Sequence, residues 1–162
     1  MFHDVPLPGL EKLATNPRGR VPITARARRS FWHKVKMTDT SSCWFWTGAV
    51  SSDGYGRITW THNGRSRTMG SHRFALTLAH GSLPPGTVAA HACNNPLCVR
   101  VGKAHVHISS QSENLRYAVE HKRHYSNQVC VDSSKRRTRS LTHRAAHTGL
   151  NPRSSPIQEG LF

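Results

Sequence analysis

The chain has 162 residues, enough for one ordinary domain with extended ends and too few for two full domains. Its 23 Lys and Arg outweigh 8 Asp and Glu, giving a formal charge of +15 that calls for an anionic partner, most simply nucleic acid. With 36% hydrophobic residues the core must be modest, and 12 Gly, 9 Pro and 4 Cys exclude collagen-like and disulfide-framework classes.

Residues 1–28 read as a basic flexible arm, rich in Pro, Gly and Arg and without a sustained period. The segment from Arg29 to Lys36 has the spacing of a short helix, with Phe31, Trp32 and Val35 on one side. Cys43–Thr47 is an aromatic strand candidate, and Ser51–Gly54 a turn. Tyr55–Thr61 and Arg65–Met69 then form two strands joined at His62-Asn63-Gly64, so the first half reads as an antiparallel meander. Ser71 is placed to cap a helix over His72–His80, burying Phe74, Ala75, Leu78 and Ala79, with Gly81 stopping it. Thr87–Ala90 is a short apolar strand with Val106–Ile108 as its antiparallel mate. Ser110-Gln-Ser-Glu113 fits a capping box that opens a second helix, with Leu115, Ala118 and Val119 buried and Asn114 pointing elsewhere. From residue 123 to 162 the chain turns basic and polar and reads as a flexible tail, its last twenty residues disordered.

No apolar run approaches the roughly 20 residues of a membrane span. The N-terminus lacks a basic stretch followed by an apolar one, so no membrane association or secretion is expected. An intracellular, reducing setting alongside DNA follows, in which cysteines act as thiolate ligands before they act as disulfides. Cys93 and Cys98 enclose a four-residue loop, and His105 follows. A loop of that size wraps a zinc ion, whose bonds to sulfur and nitrogen are about 2.0–2.3 Å long. Cys43 is the natural fourth ligand and His107 a weaker alternative to His105, whereas Cys130 has no visible partner.

The placement of acids narrows the chemistry. From Gly54 to Gln111 there is no Asp or Glu, which excludes two-metal nuclease, glycosidase and aspartic-protease sites there. What remains is His91, directly after an apolar strand, and Asn114, at the start of the following helix. An imidazole titrates near neutrality and can take a proton from water. An amide oxygen is a hard neutral ligand suited to one Mg2+ that keeps waters and phosphate in its shell.

The run His91-Ala-Cys-Asn-Asn-Pro-Leu-Cys98, then Ala104-His105, then Ser112-Glu-Asn114, resembles the His-Cys box branch of HNH homing endonucleases, built on a ββα-metal (His-Me finger) core. Upstream, Cys43-Trp-Phe-Trp-Thr-Gly48, Gly54-Tyr-Gly-Arg57 and Ser71-His-Arg-Phe-Ala75 are similar to phage-type HNH endonucleases. The resemblance covers about residues 29–120. It implies an α+β fold: an antiparallel meander, then a zinc-stapled ββα-metal domain over 29–122, with basic flexible arms at both ends. It also implies site-specific hydrolysis of phosphodiester bonds in double-stranded DNA. In that reading His91 is the general base and Asn114 the protein ligand of the catalytic Mg2+. Cys43, Cys93, Cys98 and His105 hold a structural zinc. An arginine contacts the scissile phosphate, with Arg67 the closest match and Arg57, Arg65 and Arg73 as rivals. The meander with Arg57, Arg65 and Arg67 would enter the major groove as a β-ribbon. A homodimer on a near-palindromic site would serve double-strand cutting. Two other classes fit the charge: a zinc-stabilised DNA-binding protein without catalysis, and a basic RNA-binding protein that stacks bases on Trp44, Trp46, Tyr55 and Trp60.

Overall fold

The structure is a computed structural model in which residues 21–38, 42–121 and 133–151 are described. It is a mixed α+β arrangement whose strands associate in three separate antiparallel pairs.

The first helix, α1, runs over Ala25–Trp32 rather than from Arg29 to Lys36. Thr24 accounts for the earlier start, because its side chain accepts from the Ala27 amide at 3.1 Å and caps the helix. The helix buries Ala27 and Phe31. Val35–Lys36 then leaves the helix to form β1, pairing with β2, Phe45–Trp46. Part of the expected arm also belongs to the packed structure. Val21 and Ile23 lie against the core, and the Trp60 indole donates to the Pro22 carbonyl at 2.8 Å.

The expected meander is not continuous. β3 (Arg57–His62) and β4 (Arg65–Gly70) form a hairpin of their own, linked to the preceding chain by an isolated Val50–Gly56 bridge. Their turn is as expected: Asn63 and Gly64 both take positive φ, 49° and 71°, the pairing a two-residue hairpin loop requires. β2 turns instead to β1 because Phe45 and Trp46 are both buried, which a one-sided strand does not allow.

Helix α2, Ser71–His80, follows β4 directly, with Gly70 and not Ser71 in the capping position and Gly81 ending it at φ 76°. Phe74, Ala75 and Leu78 enter the larger core cluster with Phe31, Trp46 and Trp60, while Leu76 faces a second cluster with Cys98 and Val106. Ala79, expected inside, is exposed. Phe31 stacks on Trp46 at 5.4 Å and meets Phe74 at 5.0 Å. Burying each such side chain contributes about 1.5–3 kcal/mol, which lets a few aromatics hold a small core together.

β5 (Thr87–His91) and β6 (Val106–Ser110) pair antiparallel as expected, and α3 (Gln111–Glu120) starts from β6 without a loop. Its capping box is complete: the Ser110 hydroxyl accepts from the Glu113 amide at 3.1 Å, and the Glu113 carboxylate accepts from the Ser110 amide at 2.8 Å. The buried face expected for α3 is wrong, however. Leu115 and Val119 are 48% and 54% exposed, while Asn114, Tyr117 and Ala118 form the half-buried side.

The expected flexible C-terminal tail is corrected over Ser133–Thr148, which forms helix α4. Ser140, Arg144 and Thr148 recur every four residues and are buried against the core. Lys36 Nζ donates to the Thr148 carbonyl at 2.7 Å, and Phe45 stacks under the His143 and His147 rings. Gly54, at φ +84°, lets α4 approach, since a Cβ there would lie 2.7 Å from Ser140 Oγ and 3.0 Å from the Arg136 carbonyl. Gly54→Ala is therefore expected to cost about 1–2 kcal/mol from the left-handed backbone alone. It should also unseat α4, read as lost hydrogen-exchange protection there; undiminished protection would refute this packing account. Residues 1–20, 39–41, 122–132 and 152–162 lie outside the described residues. With them lie most of the expected arms and Cys130.

Candidate functional site

The loop after β5 is laced to β2. Trp46 N–H donates to the Leu97 carbonyl at 2.8 Å, Val99 N–H to the Trp44 carbonyl at 2.9 Å, and Phe45 bridges Cys98. These bonds bring Cys43, just before β2, against Cys93 and Cys98. Two local turns shape the loop: Asn94 adopts φ 57°, and Asn95 Oδ1 accepts from the Leu97 amide at 3.1 Å. His105 is delivered by the foot of the hairpin, where Ala92 N–H donates to its carbonyl at 2.8 Å.

The result is a cluster of Cys43, Cys93, Cys98 and His105 whose ligand atoms all lie within 4.8 Å of one another. His105 Nδ1 stands 3.7 Å from Cys43 Sγ and 3.8 Å from Cys98 Sγ. A tetrahedral ion with bonds of about 2.0 and 2.3 Å separates nitrogen from sulfur by roughly 3.6 Å, so the residues fit zinc. The four expected ligands are therefore brought together, and His107, on β6 opposite Ala90, is outside the group. Hydrogen bonds from the Cys93 and Cys98 thiols push the Cys43 thiol strongly down. The same bonds push Cys93 and Cys98 up, with burial adding to the effect. A dication bound among the three would release the thiol protons. Four protein ligands leave no open position, so this centre is structural in kind.

Two residues beyond Ala89 on β5, His91 projects its Nε2 to the Cys98 carbonyl at 3.1 Å. A carbonyl only accepts, so Nε2 carries the hydrogen and the lone pair of the neutral ring sits on Nδ1. Asn114 lies half-buried in the first turns of α3. One turn later the Tyr117 hydroxyl donates to the Ala92 carbonyl at 2.9 Å, tying that side of α3 to the residue after His91.

Two neighbours of His91 were given no role of their own by the sequence, although both lie in stretches it singled out. The His72 ring, from the start of α2, is 4.7 Å from the His91 ring, and Tyr55 lies 5.3 Å from His72 and 5.9 Å from His91. The available signals were the Gly54-Tyr-Gly56 turn and a histidine at a helix start. His72 Nδ1 is buried without a hydrogen-bond partner. Burial first, then the charges of His91, Arg57 and Arg73, lower its pKa from 6.5 to about 3. Above about pH 6.5 the ring is neutral folded or unfolded, and its contribution to stability is complete. As pH falls toward about 3, the unfolded chain takes up a proton the folded one refuses, costing about 1.4 kcal/mol per pH unit. His72→Phe is expected to remove that slope from denaturant titrations run between about pH 4 and about pH 6.5. Equal slopes in both proteins would refute it.

The four arginines do not act as one surface. In the hairpin, Arg65 and Arg67 oppose His62 and Trp60 on the core-facing side, whereas Arg57 shares the outer side with Thr59, Thr61, Ser66 and Thr68. Arg67 lies over the Trp60 ring at 5.9 Å. Arg73 donates to the Thr87 carbonyl at 3.1 Å and so joins α2 to β5. Arg57, exposed and paired with Asp53 at 3.3 Å, is with Arg73 one of the two arginines whose charge bears on His72.

Among the described residues, no helix is long and apolar enough to cross a membrane. No protein-family model matches the chain, and no solved structure matches it. Over 59 residues the chain is 42% identical to "Protein 7.7" of Escherichia phage T7, a stretch covering 36% of this chain and 42% of the phage protein. The chain thus spans less than half the length of that relative.

Proposed function

We propose that this protein is a metal-dependent endonuclease acting on double-stranded DNA, with the ββα-metal site of the HNH type. The observation that carries the reading is His91: its Nε2–H is held by the Cys98 carbonyl of the cysteine loop, which leaves Nδ1 as a base. A strand-end imidazole in fixed tautomer, with no carboxylate between Gly54 and Gln111, suits removal of a proton from water.

In this mechanism His91 Nδ1 takes the proton of the water that attacks the scissile phosphate. Asn114 would hold Mg2+ through its amide oxygen, an arrangement that fits a neutral oxygen donor in a site without acids. When bound, the ion would stabilise charge on a non-bridging oxygen and on the leaving 3′ oxygen. Arg57 replaces Arg67 as the arginine best placed for the phosphate, because Arg67 lies on the Trp60 side of the hairpin. Cys43, Cys93, Cys98 and His105 would hold a zinc ion, which would keep the loop that orients His91 in shape. The partial likeness to a phage protein accords with a role inside a host cell.

Incubating the purified protein with a plasmid library and Mg2+, then sequencing the ends, tests the proposal. Discrete recurrent ends are expected. Retarded but uncut DNA across divalent metals would leave a zinc-stabilised DNA-binding protein in its place.

A further inference from the structure

We infer that the outer face of α4 is a docked clamp for the phosphate backbone of duplex DNA, set beside the Tyr55–His72–His91 cluster. The inference rests on the DNA reading above and assigns it a surface.

Ser133–Thr148 contains Lys135, Arg136, Arg137, Arg139 and Arg144 and no Asp or Glu. Lys135, Arg137 and Arg139 are exposed; Lys135 and Arg139 share the face turned away from the Ser140–Arg144–Thr148 stripe, whereas Arg137 projects from the stripe's side near the start of the helix. Lys135 and Arg139 stand one turn apart, a like-charge spacing that weakens an isolated helix. No acid within α4 offsets that repulsion, and among the described residues the one ion pair is Arg57 with Asp53. The counter-charge these side chains lack is that of a polyanion.

The helix is also held in place. Ser140, Arg144 and Thr148 are buried, Lys36 and Phe45 grip its C-terminal half, and Gly54 admits its middle. Gly54 immediately precedes Tyr55, whose ring faces His91. The basic face is thus anchored to the turn that leads into the cluster, where the backbone flanking a reacting phosphate would run. A docked helix has already lost the freedom that a flexible arm surrenders on binding, so its charges act at lower entropic cost.

The test replaces Lys135 and Arg139 together by Gln, which keeps helix propensity and removes charge. Affinity for fluorescent duplex DNA is measured over a salt series with the full chain, metal content and melting checked first. Each phosphate contact contributes about 0.9 to the slope of log K against log salt, so the double variant should lose about 2 from its magnitude. Weakening should be uniform across DNA sequences, because phosphate contacts carry no base information. A steep wild-type slope left unchanged in the variant overturns the clamp. A flat wild-type slope overturns the DNA reading itself. A slope lost on duplex RNA and retained on duplex DNA overturns the assignment of the partner.

Discussion

Stripping the Cys43–Cys93–Cys98–His105 centre with a strong chelator is expected to unfold the protein, with release of one zinc ion per chain. A structural zinc contributes an apparent ~10–16 kcal/mol in small peptides, while an entire domain is stable by about 5–15 kcal/mol. The second core cluster has only Leu76, Cys98 and Val106 as fully buried members, so apolar packing around Cys98 is small. Cys98 is wholly buried, and Cys98→Ala alone would destabilise even a cysteine that merely filled space. The two accounts differ in the wild-type chain. If the thiols are only small hydrophobes, elemental analysis finds no metal and a chelator leaves the melting temperature unchanged. If they are ligands, melting falls with chelator and returns with added zinc.

The second large effect falls on catalysis. His91→Ala is expected to slow DNA cutting by about 10²–10⁴-fold, the usual contribution of a positioned general base. At 1.36 kcal/mol per decade this is about 3–5 kcal/mol of lost transition-state stabilisation. Asn114→Ala should reduce cutting comparably, and added Mg2+ should restore part of the loss if the amide holds the ion. Both variants should still bind DNA, since the Lys and Arg surplus that attracts phosphate is left intact. His91 also donates to the Cys98 carbonyl, so a structural contribution must be separated from the chemical one. His91→Gln serves that purpose: its amide can still donate to Cys98 while lacking a basic nitrogen. Full cutting by His91→Gln would remove the general-base role, and full cutting by Asn114→Ala the metal-ligand role.

Several features of the fold are readable from short stretches of chain. The Asn63-Gly64 turn, the Ser110–Glu113 capping box and the Gly81 stop each depend on residues a few positions apart. The metal centre is nearly as local: Cys93, Cys98 and His105 lie on one loop, and only Cys43 arrives from elsewhere. His91 stands out for the same reason, being tied to that loop seven residues on. Short-range geometry and ligand chemistry set all of these before any distant segment packs.

Other features required the partner surface. β2 could have joined the hairpin, but two buried aromatic rings at Phe45 and Trp46 sent it to β1 and under α4. The apolar spacing of Leu115 and Val119 predicts a buried face for α3, yet the Tyr117 hydroxyl on Ala92 turns the opposite side inward. The polar composition of residues 133–148 reads as a solvated tail until Gly54, Lys36 and Phe45 supply a surface for its Ser140–Arg144–Thr148 stripe. His72 and Tyr55 meet His91 only because the start of α2 and the turn before β3 converge on the end of β5. Sequence alone therefore determined a basic chain with three candidate metal ligands on one loop and a strand-end histidine, because caps, turns and ligand spacings act over a few bonds. Tertiary structure decided which arginines bear on His72, which face of α3 is covered and that residues 133–148 pack as a helix, because each depends on a surface built by residues remote in the chain.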